Sequence, residues 1–273
     1  MELPNGLPPC NSWPRRSGAA FHNEDGDRVM KAQSALRAAV ALALPLIGGA
    51  IIAVAPANAT SCQTGTSTPT DSYPGTVVAA NNFESGTLKG FLVRTSGTGT
   101  ASVASDLAKS GGCSAYLHVT TDAGSVANFA SVLPSGTAGV YADGWFDIPQ
   151  AGVARNDVPY FRFFSGSTRF ADIYRYNSNG QLWLRVLSPD GSNAYTRLTS
   201  SSISLSTWHH VVMHAVPSGS ATTVQVWFDG AAVYSGQVNT VATSVSRVQL
   251  GSEHDRQMGD THIDDLIVKA VAP

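Results

Sequence analysis

From Val77 onward, apolar, β-branched and aromatic residues cluster at short intervals and are interrupted by turn-forming residues, the pattern of one strand after another. It predicts strands over Tyr116–Thr120, Val140–Ile148, Pro159–Phe164, Arg169–Tyr176 and Gln181–Leu187. It predicts five more over Trp208–Val216, Thr222–Phe228, Ala231–Ser235, Ser246–Leu250 and His262–Ala270. Three turns are legible between them: Asn177-Ser178-Asn179-Gly180, Pro189-Asp190-Gly191 and Asp229-Gly230. Each supplies residues that tolerate positive φ. No stretch here keeps a helical period with caps, and Val103–Lys109 is at most a short turn of helix. Strands at this spacing without intervening helices predict an all-β sandwich or barrel.

The N-terminal part follows other rules. Met30-Lys31 and Arg37 form a basic start, Ala38–Ala55 is an apolar run, and Ala57-Asn58-Ala59 has small residues at the −3 and −1 positions of a cleavage site. That order is a secretory signal peptide, expected over 30–59. Pro45 and the Gly48-Gly49 pair argue against a membrane anchor of the same length. The preceding residues 1–29 are polar and Pro-rich and read as a mis-assigned start or a disordered leader. Residues 60–76 are Ser/Thr/Pro/Gly-rich and are expected as a linker or a tethered N-terminal arm, and 77–273 as one domain.

Five of the 17 basic and four of the 19 acidic residues precede Thr60, which leaves twelve against fifteen. A weakly acidic chain with only three lysines (Lys89, Lys109, Lys269) and no basic cluster is a poor partner for nucleic acid or an anionic membrane. The expected protein is secreted and free of the membrane once the signal is cleaved. Of three cysteines, Cys62 and Cys113 lie beyond the signal as an even pair, expected as a disulfide in an oxidising compartment. Closing a loop of that length stabilises by about 4 kcal/mol on the chain-entropy account.

Ser206-Thr207-Trp208-His209-His210-Val211-Val212, followed by Val224 to Val233 with Trp227-Phe228-Asp229-Gly230 inside it, resembles the hairpin of laminin-G-like and other concanavalin A-like lectin/glucanase jelly rolls. Asn82-Phe83-Glu84-Ser85-Gly86 resembles the opening strand of that superfamily, and His262-Ile263-Asp264-Asp265-Leu266-Ile267-Val268 the closing one. The resemblance implies a two-sheet antiparallel β-sandwich, a jelly roll, whose concave outer face binds ligand. It further implies that Glu84 and Asp265, on adjacent first and last strands, hold a structural calcium ion.

Sugars bind by stacking on aromatic rings flanked by fixed polar groups. Tyr160, Arg162, Tyr174, Tyr176, Trp183, Arg185, His210 and His214 are the candidate ligand-binding residues at strand spacing. The function expected is non-catalytic recognition of an extracellular polysaccharide or cell-wall glycan. A polysaccharide lyase is the alternative, with Tyr160, Arg162, His210 and His214 as base and carboxylate-neutralising groups. An adhesive, protein-binding laminin-G-like domain is the third. Glycoside hydrolysis needs paired carboxylates. Only Glu84 and Glu253 remain as glutamates beyond the signal, and no third acid follows Glu253-His254-Asp255 at the required spacing.

Overall fold

A computed structural model of the chain describes residues 61–272. The leader and signal expected over 1–59 lie outside the described residues. Those described form fifteen strands and one 3₁₀ turn, Gly219–Ala221. In chain order the strands are β1 (Thr76–Asn81), β2 (Leu92–Ser96), β3 (Thr100–Ala104), β4 (Ser114–His118), β5 (Val126–Val132), β6 (Gly139–Ala151), β7 (Asp157–Ser165) and β8 (Thr168–Tyr176). They continue as β9 (Leu182–Leu187), β10 (Asn193–Arg197), β11 (His209–Val216), β12 (Thr222–Phe228), β13 (Ala231–Val238), β14 (Arg247–Gly251) and β15 (Met258–Val271).

All pairings are antiparallel. The first sheet runs β13-β12-β11-β6-β15-β4-β3, and the second β10-β9-β8-β7-β14-β5-β2. The long β15 divides one of its edges: residues 260–263 pair with β4 and residues 266–270 with β1. Between the sheets lies one apolar core that includes Phe83, Phe129, Phe146, Phe161, Phe163, Leu184 and Val211. This is the two-sheet antiparallel β-sandwich expected.

Alternation sorts the β11–β12 hairpin as the sequence pattern requires. Val211, Met213 and Ala215, with Val224, Val226 and Phe228, enter the core, while His210, His214, Gln225 and Trp227 stay outside it. Asp229 (φ 49°) and Gly230 (φ 78°) both take the left-handed conformation of a tight hairpin turn. The Asp229 carboxylate fixes the incoming strand, accepting the His210 N–H at 2.9 Å and pairing with His209 Nδ1 at 2.8 Å.

Two expectations need revision. Val103–Lys109 is not helical; Val103 and Ala104 end β3. Five strands (β1, β2, β3, β5 and β10) escape the sequence pattern. β2 and β10 are exposed along their whole length, and β5 is buried on both faces through Ser131, so none of the three alternates. The N-terminal segment, expected as a linker or a tethered arm, is tied to the domain body. Asn82 Nδ2 donates to Thr66 Oγ1 (2.8 Å) and Ser67 O (3.0 Å), and Lys269 Nζ donates to the Asp71 carboxylate and to Tyr73 O (2.7 Å).

Candidate functional site

Antiparallel partners share a face, so the register of the second sheet sets a polar row across its outer surface. Reading across five strands, the row is Tyr195, Arg185, Asp172, Arg162 and Gln249. One step along lie Tyr174 and Trp183, themselves partners. Arg185 is the pin of this surface. Its Nε and Nη2 grip the two oxygens of Asp172 at 2.9 and 2.6 Å, and Nη2 also reaches Asp157 Oδ2 at 2.9 Å. The guanidinium lies 4.9 Å from the centre of the Tyr174 ring.

Beside this pin runs a groove of about 510 Å³, bounded by Arg155, Tyr176, Trp183, Arg185, Tyr195 and His254. Tyr176 and Trp183 meet edge to face, 6.4 Å between centroids. Tyr195 is 55 % exposed, an open ring at the groove's edge. The Trp183 indole N–H is covered and has no acceptor among the described residues. Burial raises the Tyr174 phenol above its usual range, overriding the opposing effect of Arg185. The groove thus offers aromatic faces, a fixed guanidinium and flanking carboxylates, the composition that recognises a polyhydroxylated ring.

Of the eight candidate residues, Tyr174, Tyr176, Trp183 and Arg185 meet here, and the other four do not. A bulge in β7 separates Tyr160 from Arg162: the register shifts between Pro159 and Phe161, so Tyr160 turns inward with Phe161. Both rings meet Phe146 edge-on, at 5.0 and 5.1 Å, and Tyr160 is 1 % exposed, out of reach of a ligand. Arg162 does face outward but is fully buried, donating to Gly251 O at 2.7 Å with Glu253 3.8 Å away. Gly251, at φ 94°, turns the chain there in a conformation that only glycine adopts readily.

His210 and His214 lie on the other sheet, so the quartet proposed for a lyase does not converge. His214 stacks on Tyr141 at 3.9 Å, and His210 bonds Asp143 at 2.6 Å. These environments push the two imidazoles apart. The Asp143 bond raises His210, with Asp229 adding to it and burial and Lys109 opposing, whereas burial lowers His214. His210 therefore contributes stability that is full below its unfolded value near 6.5 and is lost as pH rises through its higher folded value. An NMR titration should place the His210 midpoint above 6.5, and Asp143→Asn should bring it down. A wild-type midpoint below 6.5 would contradict this assignment.

Five groove residues were absent from the sequence-derived set: Arg155, Asn156, Asp157, Tyr195 and His254. Tyr195 had a usable signal, because it follows the Pro189-Asp190-Gly191 turn at a spacing that sets it opposite Arg185. Arg155 and His254 come from loops, where the sequence gives no register.

Glu84 and Asp265 brace opposite ends of the 109–113 segment. Glu84 Oε1 accepts the N–H groups of Gly112 (2.7 Å) and Cys113 (2.8 Å), and Oε2 accepts that of Gln63. Asp265 accepts the Ser110 hydroxyl at 2.8 Å. Among the described residues, the group of metal-ligating side chains close enough to share an ion is Cys62, Glu84 and Cys113, whose sulfurs are joined in the disulfide. Three N–H donors take three of the roughly four lone-pair sites of the Glu84 carboxylate, and Asp265 is not in the group that contains it, so Glu84 has little capacity left for the calcium that the resemblance implies.

No protein-family model and no curated protein matches the chain. Solved structures do resemble it. An endo-β-1,4-glucuronan lyase from the fungus Trichoderma reesei aligns over 68 % of this chain and 93 % of its own, with 17 % identity and a TM-score of 0.55. Cip1, a cellulose-induced protein, aligns over 71 % and 97 %, with 15 % identity and a TM-score of 0.55. A sialidase aligns over 72 % of this chain but 19 % of its own, with 11 % identity and a TM-score of 0.52. At such identities the likeness is one of fold: this chain carries the β-sandwich that those proteins contain.

Proposed function

We propose that this protein is a secreted carbohydrate-binding domain that recognises an extracellular polysaccharide in the groove of its second sheet. The observation that carries the proposal is the set of rings Tyr176, Trp183 and Tyr195 around an Arg185 already fixed by Asp157 and Asp172. A pre-oriented guanidinium needs little reordering on binding, and the rings supply sugar-sized apolar faces. The Cys62–Cys113 disulfide is in keeping with an oxidising compartment. The fold shared with a glucuronan lyase and Cip1 supports a polysaccharide-related role by analogy.

A polysaccharide lyase using the same groove is the second reading, favoured by a phenol, Tyr174, directly beneath an arginine. Burial keeps that phenol protonated at neutral pH, a poor starting state for a base, so binding without turnover is preferred. The test is native affinity electrophoresis of residues 60–273 through gels containing hydroxyethylcellulose, arabinoxylan, polyglucuronate or alginate. Retardation by one polymer that is left without unsaturated ends is the expected result. Trp183→Ala should weaken that retardation about tenfold or more. Accumulating unsaturated ends would establish the lyase instead, and free migration in every gel would remove both readings.

A further inference from the structure

The outer face of the first sheet carries a groove of its own. It measures about 560 Å³, as large as the one on the second sheet, and the apolar core separates the two. Its floor is built on β6 and β11, where register sets Trp145 opposite His210. The two rings stack at 4.8 Å and 24°, and the His210 imidazole is pinned to Asp143 Oδ1 at 2.6 Å. One wall is Ser110 and Asp265. The other is the N-terminal arm, Pro69 to Tyr73, tied down by Lys269 and by the Tyr73 ring stacked on Tyr141 at 4.9 Å.

We propose that this groove is a second saccharide-binding site, centred on Trp145, His210 and Asp143, and that it takes an uncharged sugar residue. A half-buried tryptophan in the interior of a sheet's outer face is unusual for a merely solvated surface. Here it is held in orientation by a stacked imidazole that is itself held by a buried carboxylate. Around it stand a hydroxyl (Ser110), two carboxylates (Asp143, Asp265) and an imidazole, a mixture of donors and acceptors suited to sugar hydroxyls, which are both. Asp71 is paired with Lys269, and the other two carboxylates around the groove, Asp143 and Asp265, stand against the one ammonium of Lys109, so the fixed charges give an anion no net attraction. That balance favours a neutral ligand over a uronate. Lys109 extends its ammonium over the Trp145 ring, 4.1 Å from the centroid. A cation on a ring that is only half-buried is modestly held, so a sugar face can take its place. With grooves on opposite faces, one molecule would bridge two polymer strands and gain avidity from both.

The experiment compares wild type, Trp145→Ala, Trp183→Ala and the double variant in gels containing hydroxyethylcellulose or arabinoxylan, with thermal melts confirming that each is folded. The expected pattern is about tenfold weaker retardation for each single variant and none for the double. If Trp145→Ala disturbs folding, His210→Ala replaces it as the floor variant. A Trp145 or His210 variant that runs as wild type in every gel, while Trp183→Ala abolishes retardation, would overturn the second site and leave the first intact. The reverse pattern would overturn the first and leave the second. Free migration of the wild type in both gels would overturn the second site as a site for these neutral polymers.

Discussion

Arg185→Met is expected to lower the stability of the domain by about 3–5 kcal/mol, the range for removing one partner of a buried ion pair. The arginine satisfies two acids at once, Asp172 and Asp157, whose side chains are only 1 % and 8 % exposed. Methionine fills much of the same volume, so the loss reads the broken ion pairs rather than a cavity, with Arg169 left beside Asp172 and the Gln257 amide beside Asp157. For a domain of ordinary stability, about 5–15 kcal/mol, this is roughly a fifth or more of the total. Urea unfolding measures it, with Arg197→Met, an exposed position of the neighbouring strand β10, expected within about 0.5 kcal/mol of wild type.

The deficit should also depend on pH. Burial alone would raise the Asp157 carboxyl, but Arg185, Arg162 and the Gln257 amide more than offset it and hold the group below 3.8. Its contribution to stability is therefore present above the unfolded value near 3.8 and lost as pH falls through the lower folded value. Without Arg185 the Asp157 carboxylate lacks its ion-pair partner only while ionised, so the deficit should shrink as pH falls below 3.8 and it takes up a proton. An equal deficit at pH 7 and pH 3 would mean that lost packing, not lost charge pairing, explains the effect.

The second large effect concerns the disulfide. Cys62 and Cys113 are 51 residues apart, and opening that loop is expected to cost about 4 kcal/mol on the chain-entropy account. The bridge also closes a small polar lock, because Glu84 accepts N–H groups from Gly112 and Cys113 on one side and from Gln63 on the other. In the Cys62→Ser/Cys113→Ser double variant, Gln63 is free to leave and one of the three donors goes with it. Thermal unfolding should show a lowered midpoint, and proteolysis should cut first within residues 61–75. An unchanged midpoint would mean that the arm's other ties suffice.

How far the sequence reaches depends on where a strand sits. Strands with one face in the core alternate visibly, and β9, β11 and β12 appear at nearly their full extent. Strands exposed on both faces (β2, β10) or buried on both (β5) have no period to read. The candidate site is legible where alternation is unbroken: Tyr174 with Tyr176 and Trp183 with Arg185 follow directly from period two. It fails at Tyr160 because a single extra residue in β7 inverts the alternation, and nothing in Tyr160-Phe161-Arg162-Phe163 announces the bulge. His210 and His214 fail differently. Their own face is read correctly, but which sheet β11 joins is decided by long-range pairing with β6. Residue types alone cannot carry that information.

The central claim is that the second-sheet groove meets the sugar, and the Trp183 indole N–H is the probe placed best to test it. It has no acceptor among the described residues, and its ring lines the groove. Isotope-labelled protein would be titrated with oligosaccharides of whichever polymer retards it, and the indole resonances followed by NMR. The account predicts that the Trp183 indole signal moves saturably with ligand, together with the amides of Tyr176 and Tyr195. Retardation by the polymer with the Trp183, Tyr176 and Tyr195 signals all unmoved would contradict it.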